Sequence, residues 1–220
     1  KVGAIQSTTG NAAMTVANDG NVTVPQNATI SGNLSVTGTG GNTRELIKKV
    51  VISSSTNAVE FIHGSNNVVL DSTYSRYEIT LDTIVPTSET QLRFFLSADG
   101  GSNYYGDNVY SFLVQRAYTN GSSTAQDVNF NNDYVMSNFS TAATAANKGG
   151  IDGFVAVTNL GTAHRTIFHG HFNTYDHSNY YTHVEAIGAY ESNTQTIDAI
   201  QIKFSSGDIA SGTFKLFGVK

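Results

Sequence analysis

The sequence predicts an all-β chain: an antiparallel β-sandwich head of the jelly-roll kind behind an N-terminal stalk of very short strands. Composition is the first ground, since charged residues make up 13% of the chain, proline numbers 2, and Asn, Thr, Ser and Gly are abundant. Such residues favour turns and strands over helix interiors, because their side chains compete for the backbone or leave it too free. The second ground is alternation. Residues 77–82, 92–96 and 200–204 place apolar side chains at every other position, the period of a strand with one buried face. Polar turns separate these runs at 98–103, 119–122 and 205–208, with no crossover helix between them, which favours an antiparallel sandwich over a parallel sheet.

Residues 12–36 are organised differently. Met14-Thr15-Val16, Val22-Thr23-Val24, Ala28-Thr29-Ile30 and Leu34-Ser35-Val36 alternate over three residues each and are broken by Asn, Gly and Pro. An inward face of two side chains offsets too little conformational entropy to stand alone, so these strands are expected to stack on neighbouring rungs or identical chains. Thr37-Gly38-Thr39-Gly40-Gly41-Asn42 has no apolar side chain and reads as a linker. The expected division is thus a stalk and linker over 1–42 and a head over 43–220. Further strands in the head are expected at 46–53, 58–64, 108–118, 151–158, 164–174, 180–189 and 212–219. The Ala- and Thr-rich stretch 140–150 lacks a helical apolar stripe and reads as a loop or one short helical turn.

Charge and residue usage remove several function classes. The net charge is −5 and the longest basic run is Lys48-Lys49, too little for a surface that tracks phosphates, so nucleic acid is not an expected partner. With no cysteine, neither a disulfide scaffold nor a thiolate metal cluster is available. Apolar runs as short as Phe94-Phe95-Leu96 cannot form a membrane-spanning helix. A first residue of Lys, with no apolar leader core after it, reads as a piece of something longer.

Two segments carry a resemblance. The repeat running from Gly20-Asn21-Val22-Thr23-Val24-Pro25 to Ser31-Gly32-Asn33-Leu34-Ser35-Val36-Thr37-Gly38 resembles the short β-repeats of bacteriophage tail-fibre stalks. The terminal 204–220, together with 95–102, resembles a jelly-roll module of phage tail proteins, with similarity scattered over most of 46–220. This resemblance implies a homotrimeric, extracellular virion appendage. Its N-terminal side would meet other virion proteins, and its head would attach to a host cell-surface glycan or protein. Related modules in baseplates, collars and capsid fibres only connect parts, so a structural role is the alternative. No catalytic residue is carried over.

Individual residues sharpen these expectations. Six histidines are present, and His169, His171, His177 and His183 fall close together. On a strand over 164–174, His169 and His171 project from one face. A hairpin turning about His177 sets His171 opposite His183 and His169 opposite Glu185. Three imidazoles and a carboxylate on one patch suit a divalent metal of the imidazole-preferring kind, whereas a plain polar face or subunit contact requires none. Tyr104 and Tyr105 beside the 98–103 turn are candidate ligand-binding residues, because tyrosine rings stack on sugars while their hydroxyls hydrogen-bond. The other tyrosines, Tyr110, Tyr118, Tyr180 and Tyr181, suit core capping or subunit packing equally well. Acids at Asp99, Asp107, Asp127, Asp133, Asp152 and Asp176 stand mostly beside Gly or Asn, where an aspartate ordinarily serves its own turn. Nucleophile elbow, P-loop, zinc-protease and dinucleotide motifs are all missing, so the chain is expected not to be an enzyme.

Overall fold

The computed structural model describes residues 5–6, 12–16, 22–23, 44–106, 110–119, 121, 123–131, 134–135, 149–175, 180–190 and 195–220. Every regular element among them is a strand, so an all-β chain is what the sequence pattern yields. No helix among the described residues is long and apolar enough to cross a membrane. The chain divides into two units, Lys1–Gly41 and Asn42–Lys220, each taken by itself below.

In the first unit β1 (Ile5–Gln6), β2 (Ala12–Val16) and β3 (Val22–Thr23) form a small antiparallel sheet with β2 in the middle. Ile5 pairs with Met14 and Val16 with Val22, so these short strands find partners within their own chain. The expected strands at 28–30 and 34–36 and the glycine-rich run to Asn42 lie outside the described residues.

In the second unit the described strands are β4 (Arg44–Ile52), β5 (Ala58–Ile62), β6 (Arg76–Pro86), β7 (Leu92–Ser97), β8 (Tyr110–Tyr118) and β9 (Ser123–Asn131). They continue as β10 (Tyr134–Val135), β11 (Ile151–Thr158), β12 (Ile167–Tyr175), β13 (Tyr181–Tyr190), β14 (Ala199–Phe204) and β15 (Ile209–Val219). Two antiparallel sheets result. One holds eight strands in the order β4-β15-β6-β11-β12-β13-β8-β9, the other four in the order β10-β7-β14-β5. Pairing is nested: β4 with β15, β5 with β14, β6 with β11 and β7 with β10. Each outer pair encloses the next, as in one long hairpin wrapped on itself. The hairpins β8–β9 and β12–β13 widen the larger sheet beyond this set.

Alternation decides which side chains meet between the sheets. In β12 and β13 every second residue is buried, and Phe168, Phe172, Val184 and Ala186 enter the core. The residues expected to share that core, Ile79, Leu81, Leu92, Phe94, Leu96, Ile200, Ile202, Phe204, Phe214 and Leu216, all do so. Phe94 of the smaller sheet meets Phe168 of the larger with ring centroids 5.6 Å apart. Tyr110 adds a polar tie, its hydroxyl accepting from Leu96 N at 2.9 Å and donating to Tyr105 O at 3.1 Å. A fully buried tyrosine thus keeps its oxygen satisfied, as an enclosed hydroxyl must be.

One glycine is fixed by close approach. A Cβ on Gly153, where the pairing of β11 with β6 shifts register, would stand 2.1 Å from His171 O, so only glycine lets β12 come this near. Phe94 has no exposed surface, and Phe94→Ala is expected to destabilise the protein by about 3–5 kcal/mol in a reversible denaturant melt. A loss below about 1 kcal/mol would mean that the contact across the sheets contributes little.

Candidate functional site

Side chains that do not enter the core stand on the outer face of the eight-stranded sheet, where register lines them up in rows. Lys215, Thr80, Phe154, His171, Glu185 and Gln115 share one row across β15, β6, β11, β12, β13 and β8. A parallel row runs from Glu78 through Ala156, His169 and Ile187 to Leu113. In a third, Asp152 is followed by Asn173, His183 and Ala117.

The histidine hairpin is therefore correct in face and wrong in register. His171 stands opposite Glu185, not His183, and His169 stands opposite Ile187, not Glu185; His183 faces Asn173. The physical reason lies in the strand ends. Tyr175 and Tyr181 are taken into the ladder as a pair, with rings edge to face at 5.6 Å, and this moves the pairing by two residues. A shift of two conserves every face because the strand period is two. His169, His171, His183 and Glu185 accordingly do share one surface.

On that surface the rings pack against one another. His171 is stacked diagonally on His183 with centroids 5.8 Å apart and lies 5.4 Å from Phe154. His183 Nδ1 hydrogen-bonds to Asn173 Oδ1 at 2.9 Å, and His171 Nε2 comes to 4.0 Å from Glu185 Oε1. Among the described residues no three histidine, aspartate or glutamate side chains converge as metal ligands would. What the patch offers instead is stacked rings beside apolar side chains, with Ile167 52% and Ile187 47% exposed and Leu113 next to them.

Tyr104 and Tyr105 sit elsewhere, at the end of the smaller sheet, and both are half-buried. Tyr105 stacks on Tyr190 at 5.0 Å and packs against the core. Burial first, and the Glu60 carboxylate second, push the Tyr104 phenol well above its ordinary pKa, and the hydroxyl has no hydrogen bond of good geometry. The turn before them is tightly built. Asp99 accepts from Asn103 N at 2.8 Å, Asn103 Nδ2 at 2.7 Å and Ser97 Oγ at 2.7 Å, while Gly100 N donates to Asp198. Exposed aromatic rings are found instead on Tyr175, Tyr180 and Tyr181 at the hairpin end.

A cleft of about 420 Å³ indents the outer face between β6 and β11, lined in part by Arg44, Glu78, Asp82, Asp152 and Phe154. None of these stood out in the sequence except Asp152, which was expected in a turn. It lies in β11, where its Oδ1 accepts from Thr83 N at 2.8 Å. Asp99 does serve its turn, Asp127 falls within β9, and Asp107, Asp133 and Asp176 lie outside the described residues. Strand alternation over 77–82 does place Glu78, Thr80 and Asp82 outward, but their meeting with Phe154 depends on a register that only the folded sheet supplies.

No protein-family model, curated protein or solved structure matches this chain.

The Asp99 carboxyl is held at about 2, below its ordinary 3.8, chiefly by the Asn103 side chain and then by the Asn103 backbone and Ser97. A depressed carboxyl stabilises the fold above its unfolded pKa and loses that contribution as pH falls toward its folded one. Asp99→Ala is therefore expected to melt below the parent at neutral pH. The gap in melting temperature should close as the pH is lowered from about 4 to about 2.

Proposed function

We propose that this chain is a non-enzymatic attachment module of a virion appendage of the tail-fibre type. In this reading a trimer of chains presents jelly-roll heads to a receptor on the host surface, a glycan recognised through exposed rings and hydroxyls, and the N-terminal unit faces other virion proteins. The observation that carries attachment is the outer face of the eight-stranded sheet. There Ile167, Ile187 and Leu113 adjoin the Phe154, His171 and His183 rings on strands held rigidly by their neighbours. Binding groups on strands keep their positions better than groups on loops, which suits recognition of a fixed chemical shape.

The nested pairing of β4 to β7 with β15, β14, β11 and β10 supports the jelly-roll reading, since two Greek keys folded together require such pairing. Support for the tail-fibre assignment comes from the stalk-like repeat and the terminal segment 204–220. The same apolar sheet face favours one second reading, a connecting part of a baseplate, collar or capsid fibre, in which another virion protein covers it.

The labelled 220-residue chain is expected to bind susceptible cells. Replacing both Ile167 and Ile187 by Ser should weaken that binding about tenfold while the mass measured by light scattering stays that of the parent. If cells are not bound at all, or if the double variant changes the mass instead, the connecting role is the better account. A monomer mass for the parent chain would remove the trimer from the proposal.

A further inference from the structure

The cleft between β6 and β11 gathers charged side chains on the outer face of the larger sheet. Glu78 uses both carboxylate oxygens, one toward Arg44 Nε at 2.8 Å and one toward Arg76 at 2.7 Å. Lys215 donates to Asp82 through one oxygen, and Asp152 accepts Thr83 N through one. Arg44 and Arg76 thus share Glu78 and Lys215 takes Asp82, while Asp152 has a backbone amide and no cation as partner among the described residues. Yet Asp82 and Asp152 each keep a second oxygen that takes no hydrogen bond among the described residues. These open acceptors stand beside a half-exposed aromatic ring. Phe154 follows Asp152 by two positions on the same face of β11, and it is braced from behind by His171 at 5.4 Å and edge-on by His169 at 6.0 Å.

We propose that this cleft binds the ring of a neutral saccharide, its apolar C–H face on Phe154 and its hydroxyls donating to Asp82 and Asp152. Chemistry selects this class. An anionic ligand would meet the two open carboxylate oxygens and find every nearby cation already paired. A purely apolar ligand would leave those oxygens dry and unpaired, which is costly. A cationic ligand would find only Asp152 without a cation, and an ion pair to that exposed carboxylate is screened by water and worth little. A neutral polyol fits because it supplies many donors without charge and one face of C–H groups for an aromatic ring. The volume, about 420 Å³, lies within the range of small-molecule sites. Fixed partners hold the acceptors in place, so little rotamer freedom is lost on binding.

This inference rests on the attachment reading for its biological sense but is measured without cells. Saturation-transfer NMR on the full chain would use the methyl glycosides of glucose, galactose, mannose and N-acetylglucosamine, with glucosamine and glucuronic acid as charged comparisons. At least one neutral glycoside is expected to respond and the charged sugars to respond weakly. Phe154→Ala should abolish the signal, and Phe154→Leu, which keeps apolar bulk without the ring, should do the same if the alanine variant folds poorly. Asp152→Asn retains an oxygen for Thr83 N and should weaken affinity about tenfold with the melting temperature little changed. Silence with every neutral glycoside, a response confined to charged sugars, or a neutral response that survives both Phe154 variants would overturn the proposal. Glycoside binding through Phe154 together with cell binding unaffected by those variants would uphold the cleft as a saccharide site and put host attachment elsewhere on the head. Glycoside binding through Phe154 without binding to any susceptible cell would defeat attachment while leaving the cleft.

Discussion

The head depends on the seating of β15 between β4 and β6. Along its length this strand satisfies the backbone groups of two neighbours, and Phe214 and Leu216 fill the core from its inner face. Its outer face carries Lys215 to Asp82 and Phe217 under the Arg44 guanidinium, 3.6 Å from the ring centroid. One strand therefore joins two ladders, the interior and the polar surface. Withdrawing it would expose two rows of unpaired amides and carbonyls at once, a far larger cost than the loss of any single contact.

From that arrangement follows the character of the outer face. Its side chains stand on strands whose positions are fixed by pairing on both sides, so the rows across β6, β11, β12 and β13 are as regular as the ladders beneath them. Glycine at 153 lets β12 approach β11 closely, and the approach brings His171 against Phe154. Burial inside and presentation outside are two results of the same alternation.

How much of this was legible follows from the range over which each signal acts. Alternation is local, so the inward residues of β6, β7 and β14 could be read from their own segments. Strand β9 could not: Ser123-Thr124-Ala125-Gln126-Asp127 is polar, and its pairing at the sheet edge needs no apolar stripe. The histidine hairpin shows the limit between the two cases. Period fixed the common face of His169, His171, His183 and Glu185, whereas register depended on the inclusion of Tyr175 and Tyr181 in the ladder. Tyr104 and Tyr105 adjoin the 98–103 turn as their sequence neighbours dictate, but how deeply they sink depends on Glu60 and Tyr190, distant in sequence. The cleft was the least legible feature, since Arg44, Glu78 and Phe154 come from three segments that meet only through long-range pairing.

Nested pairing also has a consequence for synthesis. A nascent chain leaves the ribosome from its N-terminal end, so β4 emerges early and waits for its partner while more than a hundred residues follow. Throughout that wait β4 and β6 are separated by the gap that β15 will occupy, and their facing edges are open templates for any other strand. Contacts of such long sequence separation form slowly. Chains being translated side by side on one messenger would hold the same open edge at the same time, so each offers its neighbour a wrong partner before β15 has been made.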